Sequence, residues 1–145
     1  MRLIPAPAAL CLVAGMTLAG PVIAATAGAD VHCPTTDFQA FLEQFSADIA
    51  VQERATADPV LVHRLDPSAE PEPRPYSETV ALADVLWPVM PNLVIARRYG
   101  KQVLVSGDGN QRQVTVREPD NGNQLRYVFG RQPCWTLLAV HDEAL

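Results

Sequence analysis

The sequence predicts an α+β roll, in which an N-terminal amphipathic helix packs on a C-terminal antiparallel β-meander. Apolar residues recur at helical spacing between Phe38 and Ile49, whereas residues 103–141 consist of runs that alternate between apolar and polar side chains. Clusters of glycine, proline and asparagine separate these runs and supply turns. With 145 residues, the chain is long enough for one domain with a single core.

The first helix is predicted from Asp37 to Ala50. Its apolar stripe comprises Phe38, Phe41, Leu42, Phe45 and Ile49. Thr36 and Gln39 fit a capping box, and Asp37 suits the first turn because a carboxylate there complements the helix dipole. A stripe of this kind is typical of a helix that packs on a core, and it could also form one wall of a ligand pocket.

The middle of the chain gives weaker signals. The pattern over residues 51–65 leaves helix and strand open, although residues 60–62 indicate a short strand after a break at Asp58 and Pro59. Residues 66–75 are charged and proline-rich, with almost no apolar side chain to bury, which predicts an exposed loop. We interpret this loop as a solvated connector, and a docking peptide is the alternative.

A second, shorter helix is predicted from Thr79 to Trp87. Ser77 is a suitable cap, and Pro88 should end the helix because proline cannot continue the backbone hydrogen bonds. The face expected to be buried carries Val80, Ala83, Leu86 and Trp87.

Strands are predicted for most of the chain beyond this helix. Residues 93–96 and 103–105 are strand-like, and residues 111–118 alternate cleanly before a tight turn at residues 119–122. The last pair of runs has an inward-facing set made of Leu125, Tyr127 and Phe129, then Trp135, Leu137, Ala139 and His141. Residues 103–141 are therefore expected to form a three- to four-stranded antiparallel meander.

The N-terminus has the composition of a secretory signal peptide. Residues 3–25 carry no charge, and small residues follow the apolar run between Leu10 and Leu18. Cleavage of residues 1–25 would leave residues 26–145 as a single domain in the periplasm or outside the cell. A membrane anchor is the alternative interpretation of the same stretch.

The net charge of the chain limits the classes of partner that we expect it to bind. The full chain has a net charge of −5, and loss of Arg2 with the signal peptide leaves 10 basic against 16 acidic residues, a balance of −6. Nucleic acid and anionic membranes both require a basic surface. We therefore expect neither nucleic acid nor, after cleavage, a membrane as a partner.

The cysteines predict a disulfide bond. Cys11 leaves with the signal peptide, so Cys33 and Cys134 remain as an even pair, which in an oxidising compartment favours a bond. Two free buried thiols are the alternative. His63 and His141 have no partner at a metal-ligand spacing, so no metal site is predicted.

Two stretches of the sequence carry a family resemblance. They are Phe38-x-x-Phe41-x-x-x-Phe45-x-x-Asp48 with Val51-Gln52-x-Arg54, and Leu125-x-Tyr127-x-Phe129-x-Arg131 with Trp135-x-Leu137-x-x-Val140-x-Asp142. They resemble the two ends of domains in a secreted bacterial branch of the nuclear-transport-factor-2-like (NTF2-like) superfamily, which has a cystatin-like α+β roll. The resemblance implies a curved sheet wrapped on helices as a cone with a pocket. The residues then expected to line this pocket are Phe38, Phe41, Phe45, Trp87, Tyr127, Phe129 and Trp135.

The resemblance does not imply one function, because the same cone serves enzymes and non-catalytic binders. Tyr127 and His141 are the only members of the inward-facing set that could act as an acid or a base. No nucleophile elbow or phosphate-binding loop is present in the sequence. We expect a binding module for a protein partner or a small apolar ligand, without catalytic residues or a cofactor. An isomerase- or dehydratase-type enzyme that uses the pocket is the alternative.

The signal peptide leads to a direct prediction. Because small residues follow the charge-free apolar run, we expect cleavage between residues 22 and 30. N-terminal sequencing of protein recovered from the periplasm or medium will locate the cut. A mature chain that begins at Met1 or Leu3 would contradict the prediction.

Overall fold

The computed structural model describes residues 32–144, so the predicted signal peptide and its cleavage region lie outside the described residues. The helices are α1 (Phe38–Ala47), α2 (Ile49–Arg54) and α3 (Leu93–Arg98), and a 3-10 turn spans Leu82–Asp84. The strands are β1 (Thr56–Asp66), β2 (Arg74–Val80), β3 (Gln102–Ser106), β4 (Gln111–Arg117), β5 (Gln124–Arg131) and β6 (Trp135–Asp142). None of the helices in this range is long and apolar enough to cross a membrane.

The strands form one curved, open six-stranded sheet in the order β2-β1-β6-β5-β4-β3. Strands β3 to β6 are consecutive antiparallel neighbours, which confirms the predicted meander with four strands. Strand β1 lies parallel to β6, so the sheet is not antiparallel throughout. We call the face that bears Val60, Tyr127 and Val140 the inner face, and the face that bears His63 and His141 the outer face.

The N-terminal helix is shorter than predicted and differently capped. Asp48 is extended (φ −131°, ψ 117°), ends α1, and accepts a hydrogen bond from the Ala50 N–H, so that α2 starts as a separate helix. Ile49 is consequently 47% exposed and does not belong to the apolar stripe. The N-cap is Asp37, whose carboxylate accepts from the Ala40 N–H, and not the Thr36 and Gln39 capping box.

The core lies between α1 and the inner face of the sheet. The ring of Phe129 is its centre, because the centroids of Phe38, Phe41 and Phe45 lie 5.5, 5.7 and 5.2 Å away at steep interplanar angles. Phe38 also meets Trp135 at 4.8 Å. Edge-to-face pairs of this kind contribute about 0.5–1.5 kcal/mol each beyond the burial of their surface.

One extra residue in β6 reverses the alternation that the sequence predicts. The pairing shifts register after Val128, so Phe129 faces Leu137 whereas Tyr127 faces Val140. Leu138 is the additional residue, and its Cδ1 lies 2.6 Å from where a Cβ on Gly130 would stand, so any larger residue at position 130 would displace the Leu138 side chain. Val140 therefore joins the core. The prediction that Ala139 and His141 face inward with Trp135 and Leu137 is wrong, because a shift of one residue moves side chains to the opposite face.

Strand pairing overrides the helix predicted for residues 79–87. Residues up to Val80 belong to β2, in which Val80 pairs with Val60 of β1. Only the 3-10 turn follows, held by a hydrogen bond from the Leu82 N–H to the Asp58 carboxylate at 3.0 Å. Leu86, which was expected to be buried, is 89% exposed.

Three further segments differ from their sequence predictions. Residues 51–65 divide between the end of α2 and β1, which continues through Pro59. Residues 93–96, predicted as a strand, lie in α3, because the Asn92 side chain accepts from the N–H groups of Val94 and Ile95 and so caps a helix. The proline-rich loop spans residues 67–73, since Asp66 ends β1 and Arg74 begins β2.

The predicted Cys33–Cys134 disulfide is present, with 5.3 Å between the Cα atoms. It joins the residues before α1 to the turn between β5 and β6. The indole N–H of Trp135 donates to the carbonyl oxygen of Thr36 at 3.0 Å, beside the same junction. The start of α1 is therefore held to the sheet by a covalent bond and a hydrogen bond.

Gln52 connects α2 to the segment that leads into α3. Its Nε2 donates to the carbonyl oxygen of Met90 at 2.9 Å, and the Met90 N–H donates to Gln52 Oε1 at 3.1 Å. Both residues are buried, and Gln52 is 1% exposed. The glutamine side chain thus provides hydrogen-bond partners for both the N–H and the C=O of Met90, as a neighbouring strand would.

Replacing Gln52 with leucine tests this connection. The Q52L variant keeps the side-chain volume and leaves the N–H and C=O of Met90 buried without partners, so we expect the free energy of unfolding to fall by about 2–4 kcal/mol. Urea denaturation measures the change. Q44L, at an exposed glutamine of α1, is the matched control and should stay within about 0.5 kcal/mol of wild type. Equal losses in both variants would contradict the assigned role.

Candidate ligand cavity

A cavity of about 420 Å³ lies between the inner face of the sheet and the segment that follows β2. The strands contribute Val60, Val62, Arg64, Glu78, Val80, Leu125, Val140 and Asp142, and the following segment contributes Asp84, Val85, Leu86, Pro88 and Val89. We call this space the valine cavity.

Sheet register places the strand residues of the valine cavity together. Residues at every second position of a strand point to the same face, so Val60, Val62 and Arg64 of β1 share the inner face. Val60 pairs with Val80 of β2, and Val62 pairs with Val140 of β6. These pairs form a continuous aliphatic floor across three neighbouring strands.

Charged side chains stand around this floor. Arg64 Nη1 lies 3.5 Å from Glu78 Oε1, and the two side chains are 48% and 42% exposed. An ion pair at this exposure contributes little to stability, about 0–1 kcal/mol, because water screens it. Asp84 and Asp142 add two carboxylates to the lining, so the valine cavity carries an excess of negative charge.

Tyr127 lies in the core next to the valine cavity. Its neighbours on the inner face are Leu125, two residues earlier, and Val140 on the paired strand, and both of these line the cavity. The residue is fully buried, and its hydroxyl has no hydrogen-bond partner within residues 32–144. Burial raises the pKa of Tyr127 far above its ordinary value, and the Asp142 carboxylate raises it further. The phenol is therefore a neutral donor.

The aromatic residues that were expected to line a pocket lie outside the valine cavity. Phe38, Phe41, Phe45, Tyr127, Phe129 and Trp135 all belong to the hydrophobic core, and none of them lines the valine cavity. Trp87 is partly buried, between the lining residues Leu86 and Pro88. The physical reason is side-chain size, because the large rings pack closely against one another under α1 whereas the valines of β1 and β2 leave space unfilled.

Two of these aromatic residues also border a second cavity. Phe41 and Trp135, with Val51 and Ala55, line a space of about 370 Å³ beside Cys134. Two of the residues that were predicted to line a pocket therefore line this second cavity. The clearest sequence signal for the valine cavity is the alternation of Val60, Val62 and Arg64, in which small aliphatic residues precede a charge on the same face.

A pair of histidines lies on the outer face. His63 and His141 are register partners on β1 and β6, and their rings stack with centroids 4.1 Å apart. His63 Nδ1 lies 2.7 Å from Ser77 Oγ, and His141 Nδ1 lies 3.3 Å from an Arg126 nitrogen. Sequence analysis missed this pair because only the register of β1 and β6 brings the two residues together. The structure also separates His141 from Tyr127, which it places on opposite faces.

The pKa of His141 is lowered from its ordinary value. Burial of the ring is the largest cause, and the positive charges of Arg126 and His63 add to it, whereas Glu143 acts in the opposite direction. Glu143 in turn accepts from Arg126 at 2.8 Å. Within residues 32–144, no group of three or more His, Cys, Asp or Glu side chains is arranged to hold a metal ion.

An open, curved sheet that packs its helices on the inner face and leaves a cavity beside them defines the NTF2-like fold. The chain is similar to a solved structure of an NTF2-like protein from Bacteroides fragilis, with a TM-score of 0.57 and 20% sequence identity. The match covers 79% of this chain and 50% of that chain, so this protein spans about half the length of its structural neighbour. No family model and no curated protein match the sequence. The likeness confirms the fold that the two sequence motifs implied, a fold that includes both enzymes and non-catalytic binders.

The histidine pair generates a pH prediction. Because the pKa of His141 is lower in the folded protein than in the unfolded chain, the unfolded chain takes up the proton first as the pH falls. We expect the free energy of unfolding to decrease as the pH falls through about 6.5, the ordinary histidine pKa.

Urea denaturation of wild type and the H141Q variant between neutral pH and pH about 5 measures this effect. The decrease should be smaller in H141Q, and H32Q, which removes an exposed imidazole outside the pair, is the control. An identical pH dependence in wild type and H141Q would contradict the prediction.

Proposed function

We propose that this protein is a periplasmic or secreted, non-catalytic module that binds a small apolar molecule in the valine cavity. The observation that carries the proposal is the contrast between the aliphatic floor and the charged groups around it. The volume of about 420 Å³ lies within the range of small-molecule sites, which are mostly apolar with a few polar groups that orient the ligand.

The aliphatic floor favours a ligand with an apolar body. Val60, Val62 and Val140 are only 1%, 8% and 7% exposed and form a packed base. The apolar surface that is open to a ligand lies mainly on Leu86, which is 89% exposed, and on the partly buried Val80, Val85 and Val89. A ligand that covers this surface would release water from it, at about 25 cal/mol per Å² of apolar area. The excess negative charge at the lining disfavours an anionic group on the ligand.

The arrangement of ionisable groups supports binding without catalysis. Proton transfer needs an acid and a base that converge on the substrate with suitable pKa values. Tyr127 and His141, the pair considered from the sequence, lie on opposite faces of the sheet. The Arg64 and Glu78 side chains pair with each other and are about half exposed.

The disulfide supports the proposed compartment. Bonds such as Cys33–Cys134 persist in oxidising environments, namely the periplasm and the exterior of the cell. The charge-free stretch over residues 3–25 is the second support, because it fits a secretory signal peptide.

One observation favours an enzyme as the second candidate. The Tyr127 hydroxyl is buried without a hydrogen-bond partner among the described residues, and the Asp142 carboxylate is close enough to affect its pKa. A neutral phenol of this kind can donate to a carbonyl oxygen, and a carboxylate can move a proton, as an isomerase or dehydratase requires. Turnover of an unsaturated ketone by wild type, lost in both Y127F and D142N, would favour this candidate over simple binding.

Filling the valine cavity tests the proposed function. Wild-type protein should increase the emission of Nile red, an uncharged apolar dye, in a saturable manner. The V80F variant places a ring over the aliphatic floor and should weaken binding at least about tenfold, which corresponds to about 1.4 kcal/mol.

The T79F variant is the matched control, because Thr79 is exposed on the same strand and points to the outer face. It should bind the dye as wild type does. Circular dichroism will establish that both variants are folded. Absence of saturable binding to wild type, or equal loss in V80F and T79F, would contradict the proposal.

A further inference from the structure

Strand β3 leaves one edge of the sheet open. It pairs with β4 on one side, and no other strand within residues 32–144 pairs with its other side. Its sequence, Gln102–Ser106, contains no charged residue and no proline. Leu104 is 50% exposed and Val105 is 44% exposed. Natural proteins usually protect edge strands with charges, proline or bulges, because an open edge pairs readily with another strand.

The opposite edge of the same sheet carries such protection. Strand β2 begins with Arg74 and Pro75, and proline has no N–H to offer a neighbouring strand. Glu78 adds a charge in the middle of this strand, and the proline-rich loop precedes it. The two edges therefore differ, and β3 alone offers an uncharged run of backbone groups.

We propose that β3 pairs with β3 of a second copy of this chain, antiparallel and around a twofold axis at Leu104. The strand is nearly symmetric about this residue. In that register Leu104 faces its counterpart, Val103 faces Val105 of the second copy, and Gln102 faces Ser106. Each apolar side chain of β3 then lies opposite another apolar side chain, which is the favourable cross-strand combination.

The charged residue that precedes β3 favours an antiparallel pair over a parallel one. Lys101 precedes the strand and Asp108 follows it. In the antiparallel pair, Lys101 lies opposite Gly107 of the second copy, away from Lys101 of that copy. A parallel, in-register pair would place Lys101 beside the same lysine. Lys101 is held at the edge because its Nζ lies 2.7 Å from Glu118, with the side chain 39% exposed.

Twofold pairing also limits assembly to a dimer. Each copy uses the β3 edge of its described sheet, and the protected β2 edges lie at the two ends of the joined twelve-stranded sheet. The contact involves one five-residue strand from each copy, so it belongs with the small interfaces, which are weak. The dimer is therefore expected at high protein concentration.

Cysteine cross-linking tests the proposed register. Residues directly opposite in an antiparallel pair have Cα atoms about 4.5–5.5 Å apart, a separation that a disulfide can bridge. L104C should form a covalent dimer on mild oxidation, with the native Cys33–Cys134 bond intact. Q102C and S106C should cross-link with each other in a mixture, and much less when each is alone. T79C, exposed on the β2 edge, is the matched control and should remain monomeric.

Sedimentation velocity tests association without cross-links. Wild-type protein should shift from monomer to dimer as its concentration rises. L104K places two lysines opposite each other and should weaken the dimer at least about tenfold, whereas T79K should leave it unchanged. Unchanged circular dichroism will show that both variants are folded. Wild type that stays monomeric at all concentrations, or T79C that cross-links as readily as L104C, would overturn the proposal.

Discussion

The extra residue in β6 is the constraint on which both faces of the sheet depend. The Leu138 side chain occupies the space that Gly130 on β5 leaves by having no Cβ. Beyond this point Val140 and Asp142 point inward and line the valine cavity, whereas His141 points outward and stacks on His63. A regular strand would exchange these positions, bury the imidazole against Tyr127, and remove both the cavity floor and the histidine pair.

The inner face divides by side-chain size into a packed half and an open half. Rings of Phe38, Phe41, Phe45 and Phe129 fill the volume between α1 and the meander. Over β1 and β2 the residues are mainly valine, and the covering segment is an extended chain with a single 3-10 turn. Gln52 holds the end of that segment through the backbone of Met90, so the open half has a fixed wall even though no helix covers it.

Sequence predictions were accurate where residues close in sequence determine the structure, and they failed where contacts between distant residues determine it. The meander, the aromatic core and the disulfide followed from alternation, helical spacing and cysteine number. The helix predicted around Val80 was wrong, because pairing with Val60 of β1 outweighed local helix propensity. The histidine pair and the Gln52 contact gave no signal, because each joins residues that are distant in sequence and carry no pattern of their own. The valine cavity was missed since sequence reasoning looked for a pocket among the largest side chains.

The position of β6 has a consequence for biogenesis. Strand β6, the last strand among the described residues, lies in the interior of the sheet between β1 and β5, and it carries Trp135 and Leu137 of the core. The parallel contact with β1 is non-local, and such contacts form slowly. During translation the earlier strands have no central partner until residues 135–142 leave the ribosome. The pairing of β1 with β6, and with it the complete core, therefore forms only after residues 135–142 have been synthesised.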